Sequence, residues 1–278
     1  MRRLGWLVAV CVVAFAAVYL LLVRTPAGQE LMDWALIGTA EYAHAQVRRV
    51  SRLLHHLSGP VVVALALVIL GLGLLRRRPR IALMSAGGFV VAVVLAEVLK
   101  RLLPRPLLDS RGEHDLVDKT INTFPSGHVT IVTAFVLALA LVSVPRARVW
   151  IEGVGSVVVV LVGLGVVIAG WHRPGDSLGG VLLATMVMGV TSMVLVRGRV
   201  VEPNAGRARA AVLVSALVSA AAVVLVLTVR QDGAVLPPGV ADYALPLTIV
   251  VIAGVCFGLT QVGVRLLCVP AANVTAER

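Results

Sequence analysis

The chain is poor in charged residues and in cysteine. Of its 278 residues, 14% are charged, whereas a soluble domain is about a quarter charged. Its three cysteines, Cys11, Cys256 and Cys268, are an odd number without metal-type spacing. This composition argues against a sizeable soluble domain, a disulfide scaffold and a cysteine-based zinc site. Internal repeats and low-complexity tracts are also missing from the sequence.

Apolar residues take the place of the missing charges. They make up 59% of the chain, and the mean hydropathy is +0.98. They form runs of roughly 20 residues, the length at which a helix crosses a bilayer, without the alternation that marks the strands of a membrane β-barrel. We therefore predict an all-α, multi-pass transmembrane helical bundle of about eight spans, which forms a single membrane domain over residues 1–278. The predicted spans are Leu4–Val23, Pro60–Leu75, Ile81–Leu99, His128–Val144, Val149–Gly170, Ser177–Val196, Ala210–Val229 and Leu245–Leu267.

The net charge of +11 comes largely from arginines between these runs. Clusters lie within Arg76–Arg80, Arg146–Arg148 and Arg197–Arg209. Cytoplasmic loops of membrane proteins carry such an excess of basic residues, and a cytoplasmic N-terminus places all three clusters inside. We therefore predict a plasma membrane protein in this orientation, without a nucleic-acid partner.

The first outer segment, Arg24–Gly59, has mixed character. Apolar residues recur there at helical spacing, with Arg48, Arg49 and Arg52 between them. This pattern predicts an amphipathic helix on the outer membrane interface.

Ionisable residues gather at the outer ends of the third to sixth spans. Lys100 and Arg105 follow the third span, His128 opens the fourth, and His172 and Asp176 lie between the fifth and the sixth. Such residues are costly at a membrane boundary, which makes them functional candidates. Three helix ends on one side of the membrane can converge on one pocket.

This set of residues suits a phosphate group. Lysine and arginine neutralise its charge, and the helix start after Ser126 and Gly127 offers backbone N–H groups. One histidine can attack phosphorus while the other protonates the leaving oxygen. Asp176, one helical turn after His172, can orient that imidazole. This chemistry needs no metal ion and no cofactor.

The motifs resemble those of the type 2 phosphatidic acid phosphatase superfamily, which includes membrane lipid phosphatases and bacterial undecaprenyl-diphosphate phosphatases. The family signature reads K-x6-R-P, then P-S-G-H, then S-R-x5-H-x3-D. The second part is complete at Pro125–His128, and the H-x3-D half of the third part is complete at His172 and Asp176. The resemblance covers residues 81–196, which we predict to be a phosphatase-like core.

The resemblance implies a role for each matching residue. His172 is expected to be the nucleophile and to form a phosphohistidine, with Asp176 as its orienting partner and His128 as the general acid. The residues expected to bind the phosphate group are Lys100, Arg105, Ser126 and Gly127.

The sequence departs from the signature in two places. Four residues separate Lys100 from Arg105, where the family has six before its arginine, and Val166 stands where the family has the arginine of its Ser-Arg pair. Arg173, beside the nucleophile, is a candidate substitute for that arginine. The outer loop offers Glu113, His114, Asp115 and Asp118 as conceivable metal ligands, but a solvated acidic loop is the simpler interpretation.

The function that these residues predict is hydrolysis of a lipid phosphate at the outer leaflet. The substrate and the surrounding membrane lipids are the expected partners. The lipid is left open between a prenyl phosphate or diphosphate, phosphatidate and phosphatidylglycerol phosphate. Two alternatives remain: a catalytically weakened relative that binds lipid phosphates, and a lipid or anion transporter.

Overall fold

The computed structural model of the protein describes residues 2–41, 44–57, 59–106, 122–196 and 240–267. Within these ranges every regular element is helical and no strand occurs. The nine α-helices of the described ranges are α1 (Arg2–Ala17), α2 (Pro26–Ile37), α3 (His44–His55), α4 (Gly59–Leu75), α5 (Pro79–Leu102), α6 (Gly127–Val142), α7 (Pro145–Ile168), α8 (Pro174–Val196) and α9 (Val240–Leu267). A π-helical segment, Val18–Val23, continues α1, and a short 3₁₀ turn, Gly38–Glu41, follows α2.

The described residues contain five helical segments long and apolar enough to cross a membrane. They are Arg2–Val23, Pro79–Leu102, Pro145–Ile168, Pro174–Leu195 and Ala244–Leu267. The number rises to six if Val47–His55 and Gly59–Leu75, which meet at 59°, are counted as one broken span. Gly127–Val142 is a shorter apolar helix. The prediction of an all-helical membrane bundle is confirmed for these residues. The count of eight stays a prediction, since the seventh predicted span, Ala210–Val229, lies outside the described residues.

Helix α6 is the centre of the bundle. The hydroxyl of Ser126 caps its N-terminus by accepting from the backbone N–H of Val129, and 13 of its 16 residues are buried. It packs against α4, α5, α7, α8 and α9. Burial on nearly all sides explains why its sequence is apolar all round rather than striped.

Two arginines complete the far end of α6. Arg76 donates to the carbonyl of Val142, and Arg148 donates through Nε to the carbonyl of Ala140 at 3.0 Å. The last carbonyls of a helix lack intrahelical partners, so these bonds satisfy acceptors that would otherwise be unpaired. Two of the three predicted arginine clusters therefore meet at one end of the bundle. The third lies outside the described residues.

The opposite end of α6 gathers the predicted motif residues. The backbone N–H of Ser126 donates to the carbonyl of Asp176 at 2.9 Å, which joins the starts of α6 and α8. A Cβ atom built on Gly180 would lie 2.7 Å from the carbonyl oxygen of Ser126, so only glycine permits this approach. The amide of Asn122 donates to the carbonyls of Lys100 and Leu103, at 2.8 and 2.6 Å, and ties the end of α5 to the same place.

The first outer segment differs from its prediction, because it forms two helices, α2 and α3, instead of one. Thr25 caps α2 by accepting from the backbone N–H of Gly28, with a proline in the first turn. The side-chain amide of Gln29 then donates to the carbonyls of Val23 and Pro106, both at 2.8 Å. The N-terminal helices therefore pack directly against the segment that follows Lys100.

Candidate active site

A turn at the end of α7 places His172 inside the bundle. Gly170 adopts a φ of +74°, a conformation that favours glycine, and the backbone N–H groups of Trp171 and His172 both donate to the carbonyl of Val166. The His172 residue is 6% exposed. The Val166 side chain lies in the hydrophobic core, so position 166 supports the turn through its backbone carbonyl.

The Asp176 carboxylate is fully buried in the first turn of α8 and accepts three hydrogen bonds. Its Oδ1 accepts from Nη2 of Arg105 at 2.6 Å, and its Oδ2 accepts from the Thr123 hydroxyl at 2.5 Å and from the backbone N–H of Arg173 at 3.0 Å. Nδ1 of His172 lies 3.6 Å from the same Oδ2. The structure therefore brings the two residues of the H-x3-D motif together, with Asp176 on the Nδ1 side of the imidazole. At 3.6 Å this contact is longer than a hydrogen bond, and Nδ1 has no hydrogen-bond partner among the described residues.

The two motif histidines face each other across the start of α6. The ring centroids of His128 and His172 are 6.0 Å apart at an interplanar angle of 68°. Trp171 lies against His128, with 5.4 Å between centroids, and its other neighbour is His55 of α3 at 4.7 Å. With Nδ1 of His172 directed at Asp176, Nε2 is the nitrogen left for chemistry with a ligand.

Lys100 reaches the start of α6 from the last turn of α5. Its Nζ forms an ion pair with Glu97 at 2.7 Å. A Cβ atom built on Gly127 would lie 3.2 Å from this Nζ and 2.9 Å from Oε1 of Glu97. The absent side chain of Gly127 therefore leaves room for the ion pair directly above the helix N-terminus.

Arg105 is buried on the other side of the site, with a side chain that is 3% exposed. Burial lowers the pKa of its guanidinium, and the neighbouring Asp176 carboxylate opposes that shift, so the group stays charged. Nη2 donates to Asp176, but Nε and Nη1 have no hydrogen-bond partner in the part of the chain that the structure describes. Buried unpaired donors are costly, and an anion is the ligand that would satisfy them.

Arg173 points toward α2. Its Nε donates to Oδ1 of Asp33 at 2.5 Å, and the two side chains are 5% and 11% exposed. The structure thus brings Arg173 next to the site without showing it among the phosphate-binding groups, and that role stays a prediction.

The geometry combines two facing imidazoles, a buried carboxylate and cations around a helix N-terminus. Residues 80–199 match the family model of the PAP2 superfamily. The matched segment runs from the start of α5 to the end of α8, close to the core predicted over residues 81–196, so the resemblance inferred from the motifs is confirmed. No curated protein and no solved structure matches the chain.

Several residues of the site were not predicted from the sequence. Thr123, two positions before the P-S-G-H motif of the PAP2 segment, binds Asp176, while Asp33 and His55 reach the site from helices outside that segment. Trp171 packs between His55 and His128. Of these residues, only Thr123 could have been suspected from the sequence, because it is close to the motif. A contact between distant helices produces no recognisable pattern in a single sequence.

Metal ligation has no support in the described residues, where no group of three or more His, Cys, Asp or Glu is placed to bind an ion. The acidic loop with Glu113, His114, Asp115 and Asp118 lies outside the described residues.

Proposed function

We propose that this protein is a membrane phosphatase that hydrolyses a phosphomonoester or a diphosphate on a lipid. The observation that carries the proposal is the pair of facing imidazoles, 6.0 Å apart, with the Asp176 carboxylate behind His172. This is the arrangement that nucleophilic catalysis with a separate general acid requires.

In the first step, the Nε2 lone pair of His172 attacks phosphorus. A bond forms between nitrogen and phosphorus, and the bond from phosphorus to the lipid oxygen breaks. His128 gives a proton to that oxygen, so the lipid leaves as a neutral alcohol or, from a diphosphate, as the lipid monophosphate. Asp176 keeps the proton of His172 on Nδ1 and stabilises the positive charge that develops on the ring.

In the second step, water attacks the phosphohistidine. His128, now neutral, accepts a proton from the water as the new oxygen–phosphorus bond forms. The nitrogen–phosphorus bond breaks, which returns the electron pair to Nε2 and releases inorganic phosphate. Both histidines are then in their starting states.

The transferred phosphate is stabilised by charges and backbone donors that are already in place. The N-terminus of α6, after Ser126 and Gly127, presents backbone N–H groups and the positive end of a helix dipole. Lys100 lies above this terminus, and Arg105 brings two donors without partners among the described residues. Preorganised donors of this kind act on the charge of the transition state without a cost of reorganisation at the moment of reaction.

The lipid class follows from the position of the site at the ends of apolar helices. A tail can stay in the bilayer while its phosphate reaches the α6 N-terminus. Prenyl phosphates or diphosphates, phosphatidate and phosphatidylglycerol phosphate all meet this requirement. The arginines at the far end of α6 favour a site on the extracytoplasmic face of the plasma membrane.

The test is phosphate release by the purified protein from a panel of these lipids, with and without a metal chelator. His172→Ala is expected to abolish turnover, and Asp176→Asn is expected to lower kcat by about 10²-fold or more, as other orienting carboxylates do. Phosphohistidine trapped by rapid acid-free quench from wild type, and absent from His172→Ala, would identify the intermediate. Full activity of His172→Ala would refute the mechanism.

A second candidate function is binding of lipid phosphates without turnover. It is favoured by Val166, whose side chain lies in the core where the family has a phosphate-binding arginine. The two candidates separate in the same assay, because a binding protein would retain a radiolabelled lipid phosphate without releasing inorganic phosphate.

A further inference from the structure

Each cation of the described site has a carboxylate partner. Arg105 is paired with Asp176, Arg173 with Asp33, and Lys100 with Glu97. Two of these pairs are buried, with side chains at most 11% exposed, whereas the side chains of Lys100 and Glu97 are 22% and 59% exposed. An exposed ion pair is worth little and opens easily, so Lys100 is the cation that can exchange its partner.

The Lys100–Glu97 pair also occupies a particular place. Oε1 of Glu97 would lie 2.9 Å from a Cβ on Gly127, and Nζ of Lys100 would lie 3.2 Å from it. The carboxylate therefore lies beside Gly127, the first residue of α6, and close to the helix N-terminus whose backbone N–H groups a phosphate would contact. Both charges act on the nearby His128 ring.

Glu97 thus places a negative charge at the site where the negatively charged phosphate has to bind. Both anions would bind the same cation, Lys100. We propose that Glu97 is a built-in competitor for phosphate: its carboxylate binds Lys100 when the site is empty, is displaced when substrate binds, and recaptures Lys100 as inorganic phosphate leaves. This inference rests on the proposed function and adds a residue that sets phosphate affinity and product release.

The physical reason is the strength of the remaining site. Inorganic phosphate between a lysine, a buried arginine and a helix N-terminus is bound by several charge-assisted hydrogen bonds, each about twice as strong as a neutral one. A phosphatase with such a site is inhibited by its own product. A carboxylate three residues from the lysine, on the same helix, lowers the affinity for every phosphate without removing any donor.

A competitor role and a structural role of Glu97 predict opposite changes in Ki for phosphate and in KM for the lipid when Glu97 is replaced by glutamine. If Glu97 competes with phosphate, its neutral isostere lowers the Ki for inorganic phosphate and the KM for the lipid, each by roughly 2–5-fold, the range of an exposed ion pair. If Glu97 merely positions Lys100, the same variant raises both constants. Unchanged or higher values of Ki and KM overturn the proposal.

The experiment measures inorganic phosphate binding to the detergent-solubilised protein by calorimetry, together with product inhibition of lipid hydrolysis. The matched control is Glu30→Gln on α2, which removes one negative charge elsewhere in the chain and is expected to leave both constants unchanged. In a Lys100→Gln background, Glu97→Gln is expected to change phosphate affinity by a smaller factor than in the wild type, because the partner for which the two anions compete is gone. An equal or larger factor there would show that Glu97 does not act through Lys100 and would overturn the proposal.

The calorimetric measurement of phosphate binding tests the competitor role of Glu97 separately from the proposed phosphatase activity. Tighter phosphate binding in Glu97→Gln, together with a wild type that turns over no lipid phosphate, would support the competitor and refute the phosphatase. Turnover by the wild type with identical phosphate affinities in both proteins would do the reverse. Phosphate binding to neither protein would refute the competitor, and lipid phosphate turnover alone would then decide whether the protein is a phosphatase.

Discussion

Asp33→Asn removes the counter-charge of Arg173 and leaves the geometry of the contact in place. The asparagine side chain is the same size as aspartate and still offers an oxygen to Nε of Arg173. The Arg173 residue stays next to His172, because the backbone N–H of Arg173 is bound to Asp176. The variant therefore creates a buried positive charge without its carboxylate, close to the positive charge of Arg105.

The expected cost follows from burial. The side chains of Arg173 and Asp33 are 5% and 11% exposed and 2.5 Å apart, so solvent screens the pair weakly. Removing one partner of a buried ion pair costs about 3–5 kcal/mol, and the retained hydrogen bond places this variant near the lower end. At about 2–4 °C per kcal/mol for a chain approaching this size, a loss of about 3 kcal/mol lowers Tm by about 6–12 °C.

Thermal unfolding of the purified protein in detergent, followed by circular dichroism, measures this effect. The control for loss of a carboxylate is Glu30→Gln on the same helix. Glu30 is half-buried and lies outside the ion pairs described above, so this variant is expected to shift Tm by no more than about 2 °C. A double-mutant cycle with Arg173→Gln is expected to give a coupling energy of about 1–3 kcal/mol. Additive single variants, or an unchanged Tm in Asp33→Asn, would refute the argument that this pair ties α2 to the turn that carries His172.

Two further predictions concern the arginines and the orientation. Arg105→Lys is expected to lower kcat/KM about tenfold, since Arg105 carries the donors without partners among the described residues. Arg173→Lys is expected to change kcat/KM by less than about threefold. Equal losses in the two variants would indicate that Arg173 also binds the phosphate. In intact cells that express a Cys268→Ser background, Ala27→Cys on α2 is expected to react with an impermeant thiol reagent, and Arg146→Cys at the far end of α6 is expected to react only after lysis. The reverse labelling pattern would place the site at the cytoplasmic face.

Much of the architecture was predictable because a membrane helix is determined by a continuous stretch of neighbouring residues. A helix in a bilayer satisfies its own backbone hydrogen bonds, so an apolar run of sufficient length is enough to predict it. Seven of the eight predicted runs begin and end within a few residues of the first span or of α4 to α9, and the eighth, Ala210–Val229, lies outside the described residues. The first outer segment forms two helices instead of one. The break between α2 and α3 was missed because its apolar spacing is compatible with one continuous helix.

The site was predictable where chemistry depends on short spacing. His172 and Asp176 are one helical turn apart, and Ser126 to His128 form the start of α6, so their proximity follows from the chain itself. The partners of the arginines were not predictable in this way. Arg105 meets a carboxylate 71 residues away, and Arg173 meets one 140 residues away, and no local pattern encodes such a distance.

The sequence by itself determined that this is a helical membrane protein with a segment that matches the PAP2 superfamily, and it placed the motif residues at one end of the bundle. The length of the apolar runs, the arginine clusters and the order of the motifs were sufficient, because each depends on residues that are close in the chain. Only the tertiary structure decided which carboxylate neutralises each of the two buried arginines, Arg105 and Arg173. That choice depends on distant parts of the chain meeting at one end of the bundle, where burial makes a partner for each of these charges a requirement of the fold.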